Sequence, residues 1–554
     1  MFSHQRKFIL GFVLGIIFFI PVFAQAANLG EERSFNIQLD YDLSGSTKTD
    51  TNLIKITNKL YFYAEKQWFN NLTVANKNEI SNKLYDLANE FEYRIYPILT
   101  QTFGFEDNPG IDNDSRIIIV LHQMKATIGG YMQTEDNYSS QIYSRSNEGQ
   151  MIYLNADNIL PLSQNNLDYH LAHEFMHLIT LKQNPNEEVW LNEARAEYTE
   201  ILLGYEKDWN GSNLKARVQQ FLNNTNIFLL NWDNTNYDYA KVNLLTQYLV
   251  QHYGLNILVD SLHSSKVGVD AINYALQKNG FSEDFSDIFM DWLITNVVND
   301  CSVSEKYCYK NSYLQNFTVF PYTYYLPTQS KSSLSVTDSI RAWNAKWQKI
   351  AGGSGIIKLK FTIPEQTPIS KIPYIIEDIN NKKTVGYLDF SSVNIQEAYI
   401  KGIGSENKAI YFIPFVGSNG QESNIYYYSW EVQNLGNDSK VEEQAVESLL
   451  KKIAELKRKI ASLQLQLAMM KTNQSNQYCS VFSGDLYYGM TSPEVKCLQQ
   501  FLSNLGPEIY PEGLITGYFG PLTQAAVKRY QTSQRIITTG YFGPLTRAAV
   551  NNKL

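Results

Sequence analysis

The sequence predicts a multidomain protein: an α+β domain, then an all-β sandwich, a long heptad helix and a small three-helix C-terminal module. One observation behind this prediction is the length of 554 residues, which is enough for about three to four domains. The other is the hydrophobic period: helical and strand-like segments alternate at first, short strand-like runs follow, and a seven-residue period comes next. With 44% hydrophobic residues, the chain has the composition of a folded protein.

Residues 1–26 have the pattern of a secretory signal peptide. A short basic start precedes the apolar run from Phe8 to Phe23, and the small-residue pattern Ala24-Gln-Ala26 follows. We expect cleavage before Ala27 and export to the extracellular space or the cell envelope. An uncleaved N-terminal anchor is the alternative.

The α+β domain is predicted over residues 53–300, after a polar leader at 27–52 without a hydrophobic period. A helix over Asn76–Tyr96 is expected to end at Pro97. Three apolar runs predict strands: Leu60–Ala64, Ile117–Leu121 and Met151–Leu154.

Four cysteines in an exported chain predict two disulfides, for which three pairings exist. We favour the local pairs Cys301–Cys308 and Cys479–Cys497, because they need no contact between distant segments. The first pair lies in a connector at 301–331.

Short strand-like runs between Gly, Asn and Ser turns predict a β-sandwich at 332–434. A heptad helix is expected at 438–471, with its apolar seam at 446–470. This helix is either a parallel homodimer or a spacer that packs on another domain.

An internal repeat marks the C-terminal module, predicted at 478–554. Thr516-Gly-Tyr-Phe-Gly-Pro-Leu-Thr recurs as Thr539-Gly-Tyr-Phe-Gly-Pro-Leu-Thr, and each copy is expected to form a turn and a short helix. Together with the segment Gly489–Leu502, the repeat resembles the three-helix peptidoglycan-binding domain. This resemblance implies peptidoglycan as a partner.

The charge composition argues against nucleic acid as a partner. The chain carries 47 basic and 55 acidic residues, a formal net charge of -8, without blocks of like charge.

The motif with the clearest chemistry is His173-Glu174-Phe-Met-His177. Residues four apart lie on one helix face, so the two imidazoles can chelate one metal ion while Glu174 faces an adjacent water molecule. A second helix is predicted from Trp190 to about Gly204, and it carries Glu193 and Glu197 on one face. Two antiparallel helices can bring Glu193 to the same ion, and Glu197 can fix the tautomer of a ligand imidazole.

These two motifs together resemble the gluzincin clan of zinc metallopeptidases, and the hyicolysin-type peptidases in particular. Arg195 departs from the family pattern, in which a small residue or Leu is usual. The resemblance implies a zincin-type α+β fold, one zinc ion and these roles: ligands His173, His177 and Glu193, general base Glu174, and supporting carboxylate Glu197.

The resemblance extends to two further features of these peptidases. Met151–Asn155 is expected to be an edge strand that lines the cleft, to which an extended substrate can add. Tyr239, with Tyr237 as second choice, is expected to donate a hydrogen bond to the developing oxyanion.

Three functions are compatible with the sequence. The favoured one is a secreted zinc endopeptidase, acting on proteins or peptides and directed to the cell wall. The alternatives are a hydrolase of peptidoglycan cross-links and a non-catalytic adhesin or scaffold. Calcium is a further possible ion, because Asp107–Asp114 is rich in Asp and Asn, but the segment lacks helix-loop-helix ligand spacing and favours a turn.

Overall fold

The computed structural model describes residues 28–437 except 225, 329–330, 366, 392 and 418–423, then scattered residues at 450–464, and residues 481–554. The chain divides into two compact units, 1–442 and 443–554. The predicted signal peptide, most of the heptad seam and Cys479 lie outside the described residues. Within the described part, every helix is too short or too polar to cross a lipid bilayer.

A six-stranded mixed sheet lies in the N-terminal part of the first unit. Its order is β1-β2-β3-β4-β6-β5, with β3, β4 and β6 parallel and β5 antiparallel to β6 at one edge. The strands are β1 Glu32–Asn36, β2 Lys48–Ile56, β3 Leu60–Glu65, β4 Ile117–His122, β5 Gly130–Tyr131 and β6 Met151–Asn155.

This sheet corrects two expectations. The predicted polar leader at 27–52 contains β1 and much of β2. Two of the buried positions of β2 are the polar residues Thr49 and Thr51, so the hydrophobic pattern of the sequence does not indicate a strand there. Met151–Asn155 is not the edge strand: all five of its residues are buried, as in an inner strand of a parallel region. The edge is β5, a strand of only two residues.

Ten α-helices lie among the described residues of the first unit. They are α1 Lys66–Asn71, α2 Val74–Glu90, α3 Tyr96–Phe103, α4 Gln164–Gln183, α5 Val189–Leu203, α6 Asn213–Leu222, α7 Asn236–Tyr253, α8 Asn256–Leu262, α9 Gly268–Lys278 and α10 Phe285–Val298.

Pro97 does not end a helix, contrary to expectation. A π turn at Phe91–Ile95 joins α2 to α3, so the helix continues, and Pro97 lies directly after this wider turn, in the first turn of α3.

The predicted central helices form as expected. The Ser163 side chain accepts a hydrogen bond from the Asn166 N–H and starts α4, and the helix is followed by Asn184. Gly204, with φ 74°, follows α5 in the left-handed region that favours glycine.

The second half of this unit is a large β-sandwich, as predicted. Its strands follow the order β14-β13-β16-β15-β12-β17-β9. Strands β15 and β16 are connected by one residue pair, Ile403 with Asn407. The strands of this sheet are β8 Tyr322–Leu326, β9 Ser332–Ile340, β11 Gln348–Gly352, β12 Gly355–Thr362, β13 Lys371–Asp378, β14 Lys383–Asp389, β15 Ile395–Ile403, β16 Asn407–Phe412 and β17 Tyr426–Gly436. Two further strands, β7 Asn226–Phe228 and β10 Asn344–Lys346, form a separate two-stranded sheet.

The sandwich shares one hydrophobic core with the helices. Strand β10 pairs with β7, which lies between α6 and α7, and the Trp347 indole donates to the Leu293 carbonyl over 3.0 Å. The Cys301–Cys308 disulfide is present as predicted, and Cys497 is also disulfide-bonded.

The C-terminal module contains three helices, α11 Pro493–Asn504, α12 Pro521–Ser533 and α13 Pro544–Asn551. Buried Gln499 accepts from the Gly517 N–H at 2.7 Å and donates to the Thr523 hydroxyl at 2.9 Å. Gln531 makes the same two bonds to Gly540 and Thr546, at 2.8 and 2.9 Å. A buried glutamine therefore holds each repeated turn against the following helix.

Replacing Gln499 with Ala leaves the Gly517 N–H without its partner. We expect the free energy of unfolding of the 443–554 unit, measured by urea titration, to fall by about 1–3 kcal/mol. Gln500→Ala is the matched control, because this side chain bonds only Asn504 on the surface of the same helix, and it should change stability by less than about 0.5 kcal/mol. Equal effects of the two substitutions would contradict the role of the glutamine.

Candidate metal centre

Helices α4 and α5 bring three predicted ligands together. His173 Nε2 lies 3.2 Å and His177 Nε2 lies 3.5 Å from the same oxygen, Glu193 Oε2. One ligand atom from each residue lies within 4.8 Å of the other two. All three side chains are at least 87% shielded from solvent, since their exposed fractions are 10%, 9% and 13%.

The hydrogen bonds of Tyr169 fix the tautomer of His173. The Tyr169 hydroxyl donates its proton to Glu197 Oε1 at 2.8 Å, so it can only accept from His173 Nδ1, 3.2 Å away. The Nδ1 atom of His173 therefore carries the proton, and Nε2 presents a lone pair.

The same reasoning applies to His177. Its Nδ1 atom lies 3.0 Å from Oδ1, the side-chain amide oxygen of Asn192, which can only accept, so Nε2 of His177 also presents a lone pair. Glu193 Oε2, buried between the two imidazoles, accepts no hydrogen bond from any described residue. Three electron-pair donors thus face one another, an arrangement that a cation stabilises.

The charge balance agrees with this geometry. Burial lowers the pKa of His177, but the nearby Glu193 carboxylate outweighs burial and raises the pKa to about 9. The Glu193 carboxylate therefore favours a positive charge at this position.

Glu197 lies behind His173 in a network of hydrogen-bond donors. Arg217 binds both carboxylate oxygens, at 2.7 and 2.9 Å, and Asn213 and Asn243 donate to Oε2 at 3.1 and 3.0 Å. Burial raises the pKa of a carboxyl, but the Arg217 charge outweighs it and lowers the pKa of Glu197. Glu197 is therefore an anion that fixes Tyr169, and through Tyr169 the ring of His173.

A cleft of about 850 Å³ opens onto this centre. Residues 127–132, which include β5, line this cleft, as do Trp232, Asn234 and Tyr239. Glu174 lines the cleft and is only 6% exposed, and this burial raises the pKa of its carboxyl.

Glycine is required where β5 approaches Glu174. A Cβ atom on Gly130 would lie 2.8 Å from the Tyr153 carbonyl oxygen and 3.4 Å from Glu174 Cγ. The edge strand therefore runs directly beside the carboxylate.

Of the two tyrosines predicted for oxyanion binding, the structure brings only Tyr239 to the cleft. Its ring centre lies 6.3 Å from that of His173, and its hydroxyl donates to Asn234 at 2.9 Å. Burial raises the pKa of Tyr239 and keeps it protonated. The Tyr237 hydroxyl instead donates to the Asn226 carbonyl, outside the residues that line the cleft.

Buried Lys241 holds the loop that carries the cleft residues Trp232 and Asn234. Its ammonium group donates to the Phe228 and Asn231 carbonyls and to Asp238.

The segment considered for calcium is stabilised by its own contacts. Asp114 pairs with Arg116 at 3.0 Å and accepts from the Tyr61 hydroxyl at 2.9 Å. In the part of the chain that the structure describes, the group His173, His177 and Glu193 is the one that meets the geometry of a metal site.

Arg195, the departure from the family pattern, lies away from the ligands. It is fully buried, pairs with Glu187 at 2.8 Å and donates to the Ser261 hydroxyl at 2.8 Å. The residue therefore anchors α5 to α8 without disturbing Glu193.

Sequence reasoning missed four supporting residues: Tyr169, Arg217, Asn213 and Asn243. Tyr169 precedes His173 by one helical turn, and this spacing is a signal that could have identified it. The other three come from α6 and α7, so only the tertiary structure brings them to Glu197.

Comparisons with known proteins identify the C-terminal module. Residues 491–550 match the family model described as a "Putative peptidoglycan binding domain", which supports association with the cell wall. No curated protein matches the chain.

Two solved structures each match 20% of the chain. One is the pre-peptidase C-terminal domain of a collagenase from Bacillus anthracis, with 10% identity, 95% of that chain covered and a TM-score of 0.14. The other is Aeromonas hydrophila PliG, a periplasmic lysozyme inhibitor of g-type lysozyme, with 9% identity, 97% of that chain covered and a TM-score of 0.15. Both TM-scores are too low to support an argument on fold or function.

Replacing Arg195 with Met would leave the buried Glu187 carboxylate unpaired. We expect the free energy of unfolding, measured by urea titration of the whole chain, to fall by about 3–5 kcal/mol. Adding Glu187→Gln removes the unpaired charge and should restore most of the loss. A double variant as unstable as the single one would contradict the ion pair as the cause.

Proposed function

We propose that this protein is an exported, zinc-dependent endopeptidase that its C-terminal module directs to the bacterial cell wall. The observation that carries the proposal is the convergence of His173 Nε2, His177 Nε2 and Glu193 Oε2 with no proton donor between them. The resemblance of the two helix motifs to gluzincin peptidases agrees with it.

The donor set fits zinc. Two imidazole nitrogens and one carboxylate oxygen are a common zinc ligand set, and His173, His177 and Glu193 would hold the ion in this way beside the cleft. When bound, zinc acts as a Lewis acid, which polarises a substrate carbonyl and lowers the pKa of a bound water molecule. Each imidazole is already held in the required tautomer, by Tyr169 for His173 and by Asn192 for His177.

Glu174 is the general base of the proposed reaction. Its buried carboxylate has a raised pKa, which brings it closer to the value suited to proton exchange near neutral pH. In the proposal, Glu174 removes a proton from the attacking water and delivers it to the leaving amine.

Tyr239 is the proposed donor to the oxyanion. Its hydroxyl stays protonated because of burial, and its bond to Asn234 can be exchanged for one to the substrate oxygen. A preorganised donor of this kind stabilises the charge that develops during peptide hydrolysis.

The backbone of β5 is the proposed binding edge for the substrate. Strand β5 ends the six-stranded sheet beside Glu174, so an extended peptide can pair with it and reach the carboxylate.

A second candidate is a hydrolase of peptidoglycan cross-links, which the C-terminal match favours. To distinguish the two, the purified zinc-loaded protein is incubated with casein and with isolated cell-wall sacculi. Peptides released from casein, with sacculi left intact, support the endopeptidase. Soluble fragments released only from sacculi support the wall hydrolase and contradict the first proposal.

Glu174→Gln removes the base but keeps the size of the side chain and all three ligands. We expect the variant to bind zinc as the wild type does and to lose at least about 100-fold in hydrolysis rate. Exposed Glu79→Gln on α2 is the control and should keep full activity. Full activity of Glu174→Gln would falsify the mechanism, and a wild type that binds zinc without turnover would favour the scaffold instead.

Tyr239→Phe and Tyr237→Phe form a matched pair on α7. Loss of the Tyr239 hydroxyl should lower kcat by about 10²- to 10³-fold with little change in KM, because the hydroxyl acts on the transition state. Tyr237→Phe should leave kcat nearly unchanged, since its hydroxyl bonds a backbone carbonyl outside the cleft lining. Steady-state kinetics on one peptide decides, and the opposite ranking would refute the assignment.

A further inference from the structure

We propose that Tyr487, Tyr541, Asp485 and Arg547 form a site for a pyranose ring of the peptidoglycan glycan strand. This inference rests on the proposed attachment of the C-terminal module to the cell wall, and it specifies which side chains bind and which part of the polymer they bind.

One position distinguishes the two copies of the internal repeat. The copies at 516–527 and 539–550 are identical except at one position, where Gln524 of the first copy corresponds to Arg547 of the second. The turns, glycines and clamping glutamines are shared, so the fold of the repeat does not require an arginine.

Arg547 creates a polar cluster in the second copy. It forms an ion pair with Asp485, and the same carboxylate accepts a hydrogen bond from the Tyr541 hydroxyl at 2.7 Å. Arg547 and Asp485 remain 24% and 32% exposed, so a ligand can reach both.

An aromatic surface lies beside this cluster. Tyr487 and Tyr541 are 54% and 42% exposed, and their ring centres lie 6.5 Å apart at an interplanar angle of 30°. A Cβ atom on Gly543 would lie 2.5 Å from the Tyr541 ring, so the glycine lets this ring lie against the backbone. The Tyr541 ring is therefore held in place before any ligand arrives.

The first copy lacks the ion pair and the carboxylate partner of the tyrosine hydroxyl. Gln524 packs against the turn of the second copy, since a Cβ on Gly540 would lie 2.7 Å from its Cγ atom. Among the described residues, the Tyr518 hydroxyl has no hydrogen-bond partner, although the Tyr518 ring is 44% exposed. Tyr518 therefore serves as an internal control for exposed aromatic area alone.

The chemistry of the cluster suits a sugar ring. A pyranose offers an apolar face of C–H groups and a rim of hydroxyls, which match exposed tyrosine rings and a neighbouring donor and acceptor. Asp485 and Arg547 balance in charge, so the cluster favours an uncharged ring over the charged stem peptide.

The test measures binding of the full chain to purified sacculi, in a Glu174→Gln background that prevents hydrolysis of the ligand. We expect Tyr487→Ala and Tyr541→Ala each to weaken binding by about five- to tenfold, and Tyr518→Ala by less than about twofold. Arg547→Gln, which places the residue of the first copy in the second, should also weaken binding while the unfolding temperature stays unchanged. Oligomers of N-acetylglucosamine should compete for the site.

The outcomes separate the two proposals. If the parent protein does not bind sacculi, the proposed wall attachment fails and this site fails with it. If the parent binds and the Arg547→Gln and Tyr541→Ala variants bind equally well, only the site is refuted. Competition by stem peptides and not by the sugar oligomers would also refute it.

Discussion

The structure of the first unit depends on one constraint. Two imidazole lone pairs and one carboxylate oxygen are buried together without a proton donor between them. Left alone, such donors repel one another in a medium of low dielectric constant, so the site requires a positive charge. Hydrogen bonds on the far side of each imidazole hold the two rings in place. Tyr169 and Asn192 accept the Nδ1 protons, which leaves both Nε2 atoms unprotonated. The two helices that carry them are buried through most of their length.

Helix α5 illustrates how the charges around this centre are balanced. The helix carries three carboxyl groups shielded from solvent, those of Glu193, Glu197 and Glu200, and each is stabilised in a different way. Glu193 faces the candidate cation, and Glu197 is neutralised by Arg217. Glu200 has its pKa raised to about 8 by burial and by the neighbouring Glu197, which favours its protonated form. Repulsion between the carboxylates is thereby limited to what Arg217 and, in the proposed site, a bound cation offset.

The sequence predicted what depends on local spacing and missed what depends on tertiary contacts. The interval between His173 and His177 is local, and the helix expected from Trp190 to about Gly204 forms at Val189–Leu203. The partners of Glu197 lie on other helices, and no periodicity indicates that Arg217 reaches it. Strand β5 has two residues and β1 has a mixed burial pattern, so neither produces the alternation on which strand prediction depends. Pro97 does not end the helix as predicted, because a π turn directly upstream allows the chain to remain helical.

The most direct test of the account is a crystal structure of the zinc-loaded protein with anomalous scattering recorded on both sides of the zinc absorption edge. We expect one zinc peak within bonding distance of His173 Nε2, His177 Nε2 and a Glu193 oxygen, with the Nδ1 contacts to Tyr169 and Asn192 retained. Absence of a peak there, with the two imidazoles donating hydrogen bonds to Glu193 instead, would contradict it.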